Sequence, residues 1–461
     1  MHRHLLIATV FLGAGGSAAA QDVPASWTEP GVVAFVGVNV VPMDSERVIE
    51  DQTVVVRDGR IAAVGPSAGT TVPDGATHVD ARGKYLIPGL AEMHGHVPGQ
   101  TTQFQEDVLF LYVAAGVTTV RGMQGHPNHL PLRERVRSGE LIGPHLYLSS
   151  PPFAGMGGNA LTNPDTARAR VRAAKAAGYD HLKVHEGLSP EVYDAIVETA
   201  HAENFPFGGH VSDAVGLERA LAARQTTIDH LDNYIDALQR DGSPALTMTG
   251  AARGQALPLN VDEAKIPGVV RATREAGVAN VPTMALWEVL RGSHSGDQLA
   301  SREELRYIPK QMVDGWVQQV NGIHAGWDPA AAEAEREVRK RLLDALHDGG
   351  AVILMGTDAP QLFSVPGFSL HRELPVMVDA GMTPFEVLQT GTVNIARFYG
   401  EEDEAGTVAV GRRADLVLLD ANPLDDIDNV QKVSGVMVAG RWLDAAARQA
   451  RLDAIAQRAG A

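Results

Sequence analysis

Eight times between residues 89 and 359 a short apolar run gives way to a longer, helix-compatible stretch, and few architectures accept that alternation. The runs are GLAEMHGH (89–96), VTTVRGM (117–123), HLYLSSP (145–151), HLKVHE (181–186), PFGGH (206–210), TTIDHL (226–231), ANVPTMA (279–285) and AVILMGTDA (351–359). Parallel strands need crossover helices, so eight successive units predict an α/β chain built on a (β/α)8 (TIM) barrel. In that architecture the active site forms at the C-terminal ends of the strands. One crossover helix is legible in detail. Ser189-Pro190 is a cap residue followed by proline at the first helical position, with Val192, Ile196 and Val197 on one face. The intervals 232–278 and 286–350 exceed a single crossover and are expected to lay extra helices over the barrel mouth. Within them, AAEAEREVRKRLLDAL (331–346) alternates charges and reads as an exposed helix with i,i+4 pairs.

The ends of the chain have another character. VVAFVGVNVV is β-branched, and QTVVVRDGRIAAVG reads as two strands folded over Asp58-Gly59. ADLVLLD (414–420) and VSGVMVAGRWL (433–443), the latter folded over Ala439-Gly440, are strands again. The expectation is a small β-sandwich domain built from both termini, residues 21–86 and 401–461 (with a tail helix), around a barrel at 87–400. Residues 1–20 stand apart. Arg3, the apolar LLIATVFLG and small residues at Ala18 and Ala20 form a signal-peptide pattern, so an exported, periplasmic or secreted protein is expected. No other stretch is long and apolar enough to span a bilayer.

Composition narrows the chemistry. A net charge of -17 argues against nucleic acid or an anionic membrane surface as partner. The absence of cysteine excludes disulfides, thiol nucleophiles, a lipoprotein anchor and cysteine-bound zinc, leaving His, Asp, Glu or a modified Lys to hold any metal. Such residues fall at the ends of the predicted strands: His94 and His96 on the first, His210 on the fifth, His230 on the sixth and Asp358 near the end of the eighth. His94 and His96, two apart, project to the same face of a strand. In the fourth strand His181, Lys183 and His185 share one face and Leu182 and Val184 the other, which turns the polar triplet inward. A lysine there must be neutralised or paired. With a lowered pKa it can take up carbon dioxide as a carbamate, an oxygen ligand able to bridge two metals. The alternative is a lysine paired with Glu186 or another acid beside a single ion.

Taken together, PGLAEMHGH (88–96), Lys183 in GYDHLKVHEGLS, GGHVSDAVGLERAL (208–221), TTIDHL, MGTDAP and HREL…AGMTPFEVLQTGTVNIARFYG (371–400) resemble the amidohydrolase superfamily, in its imidazolonepropionase- and prolidase-like branch. The resemblance covers nearly all of the chain after residue 20. It implies two divalent ions, usually zinc: one on His94, His96 and Asp358, the other on His210 and His230, bridged by N6-carboxylated Lys183 and a hydroxide. Asp358 would then serve as general acid–base in hydrolysis of a C–N amide bond. N-acyl amino acids, dipeptides and amide-linked toxins such as ochratoxin A are the implied small-molecule substrates. The same metals also suit cyclic amides, lactones or deamination, and a ligand-binding barrel without turnover is the reading from another class. Relatives of this kind assemble, so a homo-oligomer is implied.

Two positions depart from the family. Asn159, in GMGGNA, stands where dipeptide-cleaving relatives carry a histidine that binds the substrate carboxylate, and Glu92 replaces an aspartate with little expected consequence. Further candidates for substrate contact are Arg121 at the end of the second strand (or paired with Glu92), Tyr234 four residues past His230, and Trp287, with Trp316 and Met312, in an apolar pocket. His371 is expected to orient the loop after the eighth strand, and His181 and His185 to support or pack.

Overall fold

The computed structural model describes residues 31–100 and 102–460; the expected signal peptide at 1–20 lies outside them. The N-terminal segment forms β1 (Val33–Val40), β2 (Ile49–Arg57), β3 (Arg60–Pro66), β4 (Thr77–Asp80) and β5 (Tyr85–Pro88). The middle supplies β6 (Leu90–Gly95), β7 (Val117–Gly122), β8 (His145–Leu148), β9 (Leu182–Val184), β10 (Phe207–Gly209), β11 (Thr227–Asp229) and β12 (Ala279–Val281). The C-terminal segment adds β13 (Leu416–Leu419), β14 (Val433–Val438), β15 (Arg441–Asp444) and a tail helix, Ala445–Ala459.

Both ends of the chain join one sheet in the order β15-β14-β13-β5-β1-β2-β3, with β4 on β1. Its two tight hairpins are the ones legible in sequence: Asp58-Gly59 and Ala439-Gly440 both place two consecutive residues at positive φ, the geometry that matches strand twist. Phe35, Val54, Leu416, Leu418 and Trp442 give this sheet an apolar core of its own.

The middle strands are parallel, in two sheets ordered β6-β7-β8 and β9-β10-β11-β12. A parallel bridge, Ser149 to His181, links the sheets on one side. On the other, Asn280 bridges to Ile353, and the Met93 and Asp358 amides donate to Met355 O and His94 O, each at 2.8 Å. The eighth expected strand, 351–359, is therefore present as bridging backbone and not as a regular strand. Gly356 packs there against the His94 amide and the Glu92 carboxylate, so the chain approaches too closely for a pleated side chain. The seventh is also shorter than expected, because Thr283 turns left-handed and a helix begins at Met284.

The charged helix Pro329–Asp348 corrects the sequence reading. Glu335 and Arg339 do form an i,i+4 pair, but both are buried. Arg339 also donates to His230 O at 2.6 Å and lies 3.3 Å from the centroid of the Trp287 ring. Removing one member of a buried pair strands the other, which costs roughly 3–5 kcal/mol. Arg339→Ala is expected to lower the urea midpoint accordingly. Arg341→Ala, which removes the exposed pair with Glu263, should shift stability by under about 1 kcal/mol. Equal losses would show that the Arg339 face is not part of the packed interior.

Candidate metal centre

The strand ends bring the predicted ligands together. Donor atoms of His94, His96 and Asp358 lie within 4.8 Å of one another, and so do those of His94, His210 and His230. His94 belongs to both groups. The side chains turn inward because the backbone leaves the strands abruptly: His230 and Asp358 take φ of 61° and 64°, and Thr283 takes 50°. Left-handed backbone at non-glycine residues is costly and persists where the surrounding structure dictates it.

Three of the four imidazoles have a polar group behind them; His96 Nδ1 is buried with no hydrogen-bond partner among the described residues. His94 Nδ1 lies 2.8 Å from Asp229 Oδ2, leaving Nε2 to face Asp358 Oδ1 at 3.5 Å. His210 Nδ1 is 2.9 Å from Asp232 Oδ2. His230 Nδ1 is 2.8 Å from Thr283 Oγ1, whose own proton goes to Pro282 O, so the imidazole donates at Nδ1. Its Nε2 is shut off from solvent and has no hydrogen-bond partner among the described residues, with Asp358 Oδ2 3.7 Å away. His96 Nε2 meets Asp358 Oδ1 directly. Burial lowers the pKa of His94, His210 and His230, so these rings are neutral, the state that binds a cation. Neutral nitrogens, a carboxylate between them, the His230 tautomer set by Thr283 and carboxylates close behind His94 and His210 fit a divalent metal. Asp229, Asp232 and Thr283 are absent from the sequence reading. Asp229 has a signal, since an acid inside the buried run TTIDHL demands a partner.

Lys183, only 1% exposed, sits at the base of this cluster, its Nζ 3.1 Å from His94 Nε2. Its nearest carboxylate is Asp229 at 3.9 Å; Glu186, the alternative partner, is exposed. Burial lowers the lysine pKa. Gly209 makes room for it. A Cβ there would stand 2.9 Å from Lys183 Cδ and 2.4 Å from Val184 O, at a φ of 126°. Asp358 is the opposite case: burial alone would raise its pKa, but His94, His96 and His230 hold the carboxyl below the usual range.

Glu92 accepts hydrogen bonds from the His94 amide at 2.9 Å and the Thr357 amide at 2.8 Å, tying β6 to the segment that carries Asp358. The substitution at this position thus has a structural role larger than the sequence implied. Glu373 does similar work at the first turn of the helix Met284–Arg291, accepting from the Met284 and Ala285 amides at 2.8 and 2.6 Å. Burial raises the Glu373 pKa from 4.5 to about 8, against the pull of those amides. The folded state therefore holds a proton that the unfolded chain releases, and stability falls as pH rises from about 4.5 through about 8. The loss is on the order of 5 kcal/mol. Glu92, raised to about 7, acts with the same sign. Glu373→Gln should flatten this decline in denaturation measured from pH 5 to 9; an unchanged slope would contradict the assignment.

The substrate-contact candidates fare differently. Arg121 is buried, its Nε donating to Met93 O at 2.6 Å, Nη1 to Thr227 Oγ1 at 3.1 Å and Nη2 to Asp229 Oδ1 at 3.2 Å. It ties strands together inside the molecule and pairs with Asp229, not with Glu92 or a substrate. Tyr234 is also fully buried, its hydroxyl 2.9 Å from Thr273 Oγ1 on the helix Ile266–Ala276. Left-handed residues at His230, Leu231 and Asn233 swing the chain round before Tyr234, which takes it away from the ligands. Asn159 is exposed and makes no hydrogen bond among the described residues. Trp287 packs between Arg339 and Arg291, and Trp316 packs against Phe363, so neither lines the cavity beside the ligands. Met312 packs against the same core. His371 lies 2.9 Å from Ala115 O and His181 3.1 Å from Met123 Sδ, both as packing residues. His185 is nearer the site, its ring centroid 4.4 Å from that of His210.

The sequence pattern of the amidohydrolase family matches residues 85–443, and the chain belongs to that family. Adenine deaminase 3 of Rhizobium meliloti (strain 1021) is 22% identical over 408 residues, covering 86% of this chain and 57% of the relative's length. Imidazolonepropionase of Shewanella sp. (strain ANA-3) is 23% identical over 418 residues, covering 86% and 93%. Among solved structures, bottromycin amidohydrolase superposes with a TM-score of 0.72 at 24% identity, covering 94% of this chain and 92% of that one. The chain is accordingly a hydrolase acting on C–N bonds, in a family that binds divalent metals. Among the described residues no helix is long and apolar enough to cross a membrane.

Proposed function

We propose that this chain is an exported, homo-oligomeric, zinc-dependent amidohydrolase that cleaves the amide C–N bond of an N-acyl amino acid, a dipeptide or an amide-linked toxin of the ochratoxin type. One observation carries the reading: two ligand triplets share His94, with the amine of Lys183 buried against them. The same reading takes the two parallel sheets as arcs of one (β/α)8 barrel, supported by the backbone bridges at both seams, and the eight-stranded sheet as the β-sandwich domain.

His94, His96 and Asp358 would hold one divalent ion, His210 and His230 the other, and Lys183 would bridge them as a carbamate. Bound there, two such ions lower the pKa of a water and polarise a scissile carbonyl. The protein's own residues do the rest. Burial, which lowers the Lys183 pKa, favours the unprotonated amine; its nitrogen would attack carbon dioxide, the N–C bond forming as one C=O π bond opens to a carboxylate and the nitrogen proton passes to solvent. Asp229, Asp232 and Thr283 keep the imidazoles in the binding tautomer. Asp358, ionised and held among three histidines, accepts the proton of the attacking water and returns it to the leaving amine.

Incubation of zinc- and bicarbonate-treated protein with a mixed library of N-acyl amino acids and dipeptides is expected to release a small set of amino acids, read by mass spectrometry, and chelation should stop it. The likeness to imidazolonepropionase favours cyclic amides as the second reading. Turnover of cyclic amides with no release from the linear library would select it.

A further inference from the structure

The polar face of β9 runs toward the C-terminal end of the strand, where sites of this architecture form. His181 meets Met123 Sδ, and Lys183 lies two residues on, at the base of the ligand cluster. His185 is next on that face, roughly 6–7 Å nearer the mouth. Its amide donates to Phe153 O at 3.0 Å, so it continues the strand pairing. Ser212 Oγ donates to His185 O at 3.1 Å and accepts the Leu188 amide at 3.0 Å, which fixes the turn that follows. The ring of His185 lies against His210, whose own ring centroid is 4.7 Å from that of His230. The titratable groups that act on it most are Lys183, Asp358, His230 and His96, all part of the cluster.

The two nitrogens of this ring differ. Nδ1 accepts the Glu186 amide at 2.8 Å, so its lone pair is occupied and the ring hydrogen is on Nε2. His181 and His371 spend Nε2 on Met123 Sδ and Ala115 O, as packing histidines do. His185 Nε2 has no hydrogen-bond partner among the described residues. Unlike His230 Nε2 and His96 Nδ1, it is not closed off from solvent, so a ligand can reach it. The half-buried imidazole thus offers a hydrogen and no lone pair beside the metal ligands. It can donate there but cannot serve as a base.

We propose that His185 Nε2–H donates a hydrogen bond to the oxygen of the scissile carbonyl. As the attacking oxygen bonds to the carbonyl carbon, the C=O π pair moves onto that carbonyl oxygen. The charge it gains strengthens the hydrogen bond, and no proton leaves the ring. His185 stands on the His210–His230 side, where the ligand set has fewer protein side chains and leaves more room for a carbonyl. The inference rests on the amide-hydrolase reading and deepens it, giving the reacting carbonyl a donor from the chain itself.

The test compares two variants of the zinc-loaded, full-length chain. His185→Gln can place an amide N–H near the same point, whereas His185→Phe keeps the ring packing and loses both nitrogens. The probes are the library of N-acyl amino acids and dipeptides and the ester 4-nitrophenyl acetate. His185→Phe should lower turnover about 10²- to 10³-fold, and His185→Gln under about 10-fold, with KM for the ester little changed. Bound zinc should match the parent in both. A packing role reverses the order, because phenylalanine fills the space better than glutamine. That reversed order, equal rates in all three proteins, or loss of zinc from His185→Phe overturns the assignment. Should His185→Phe fail to fold, ¹⁵N NMR of the metal-free parent decides. The histidine signal missing from the His185→Gln spectrum should report an Nε2–H ring, and an Nδ1–H ring overturns the assignment. The two readings fail differently. Amide release with the reversed order rejects His185 alone, and ester cleavage in the expected order without amide release rejects the amide-hydrolase reading alone. No turnover of either probe by protein holding two ions rejects both.

Discussion

Asp358→Asn is expected to cut kcat by about 10³- to 10⁴-fold, the upper range for loss of a general acid–base group, while metal content stays near that of the parent. Asparagine keeps one oxygen at the position that now faces His94 at 3.5 Å and meets His96. It cannot accept and return a proton. The separation of the two readouts is the point of the experiment. A purely structural or ligating role would lower metal content and activity together. A proton-transfer role lowers activity alone. Equal kcat for variant and parent would remove Asp358 from the mechanism.

Lys183→Ala should lose more activity than the roughly 10- to 100-fold typical of a residue that merely supports a metal ligand, together with part of the bound metal. The lysine is buried, and its ion pair among the described residues, with Asp229, is long at 3.9 Å. Alanine leaves a void the length of the side chain at the base of the cluster. A small carboxylate such as formate or propionate fits that void and supplies the oxygen atoms of the missing carbamate. Added carboxylate is therefore expected to restore part of both activity and metal content, saturably. A cation restoring activity instead, or full activity without additive, would show that the amine acts uncarboxylated or not at all.

The set of strand ends is legible in the sequence. Alternation and abrupt polar residues after apolar runs depend on local chemistry, and that is why His94, His96, Lys183, His210, His230 and Asp358 can be picked out before any geometry. Most of the differences arise from tertiary contacts and from the turns just beyond strand ends. Counting from His230 sets Tyr234 in the site, but three left-handed residues redirect the chain within that interval. Arg121 does hold an inward-facing strand position, yet its partner Asp229 is 108 residues away, and a pairing at that distance leaves no local trace. The helix at 331–346 has the charge pattern of a solvated face, and Glu335 and Arg339 become interior only because Arg291, Trp287 and the His230 carbonyl meet them. Thr283 carries no signal at all in sequence; its role comes from the turn that starts the next helix.

The most direct measurement is a titration of metal-free protein with zinc in bicarbonate buffer, with amide hydrolysis and bound metal recorded together. The account predicts that activity rises to its plateau as occupancy passes from one ion to two per chain, and that omission of carbon dioxide delays or lowers the plateau. Full activity at one ion per chain, or activity indifferent to metal, would contradict it.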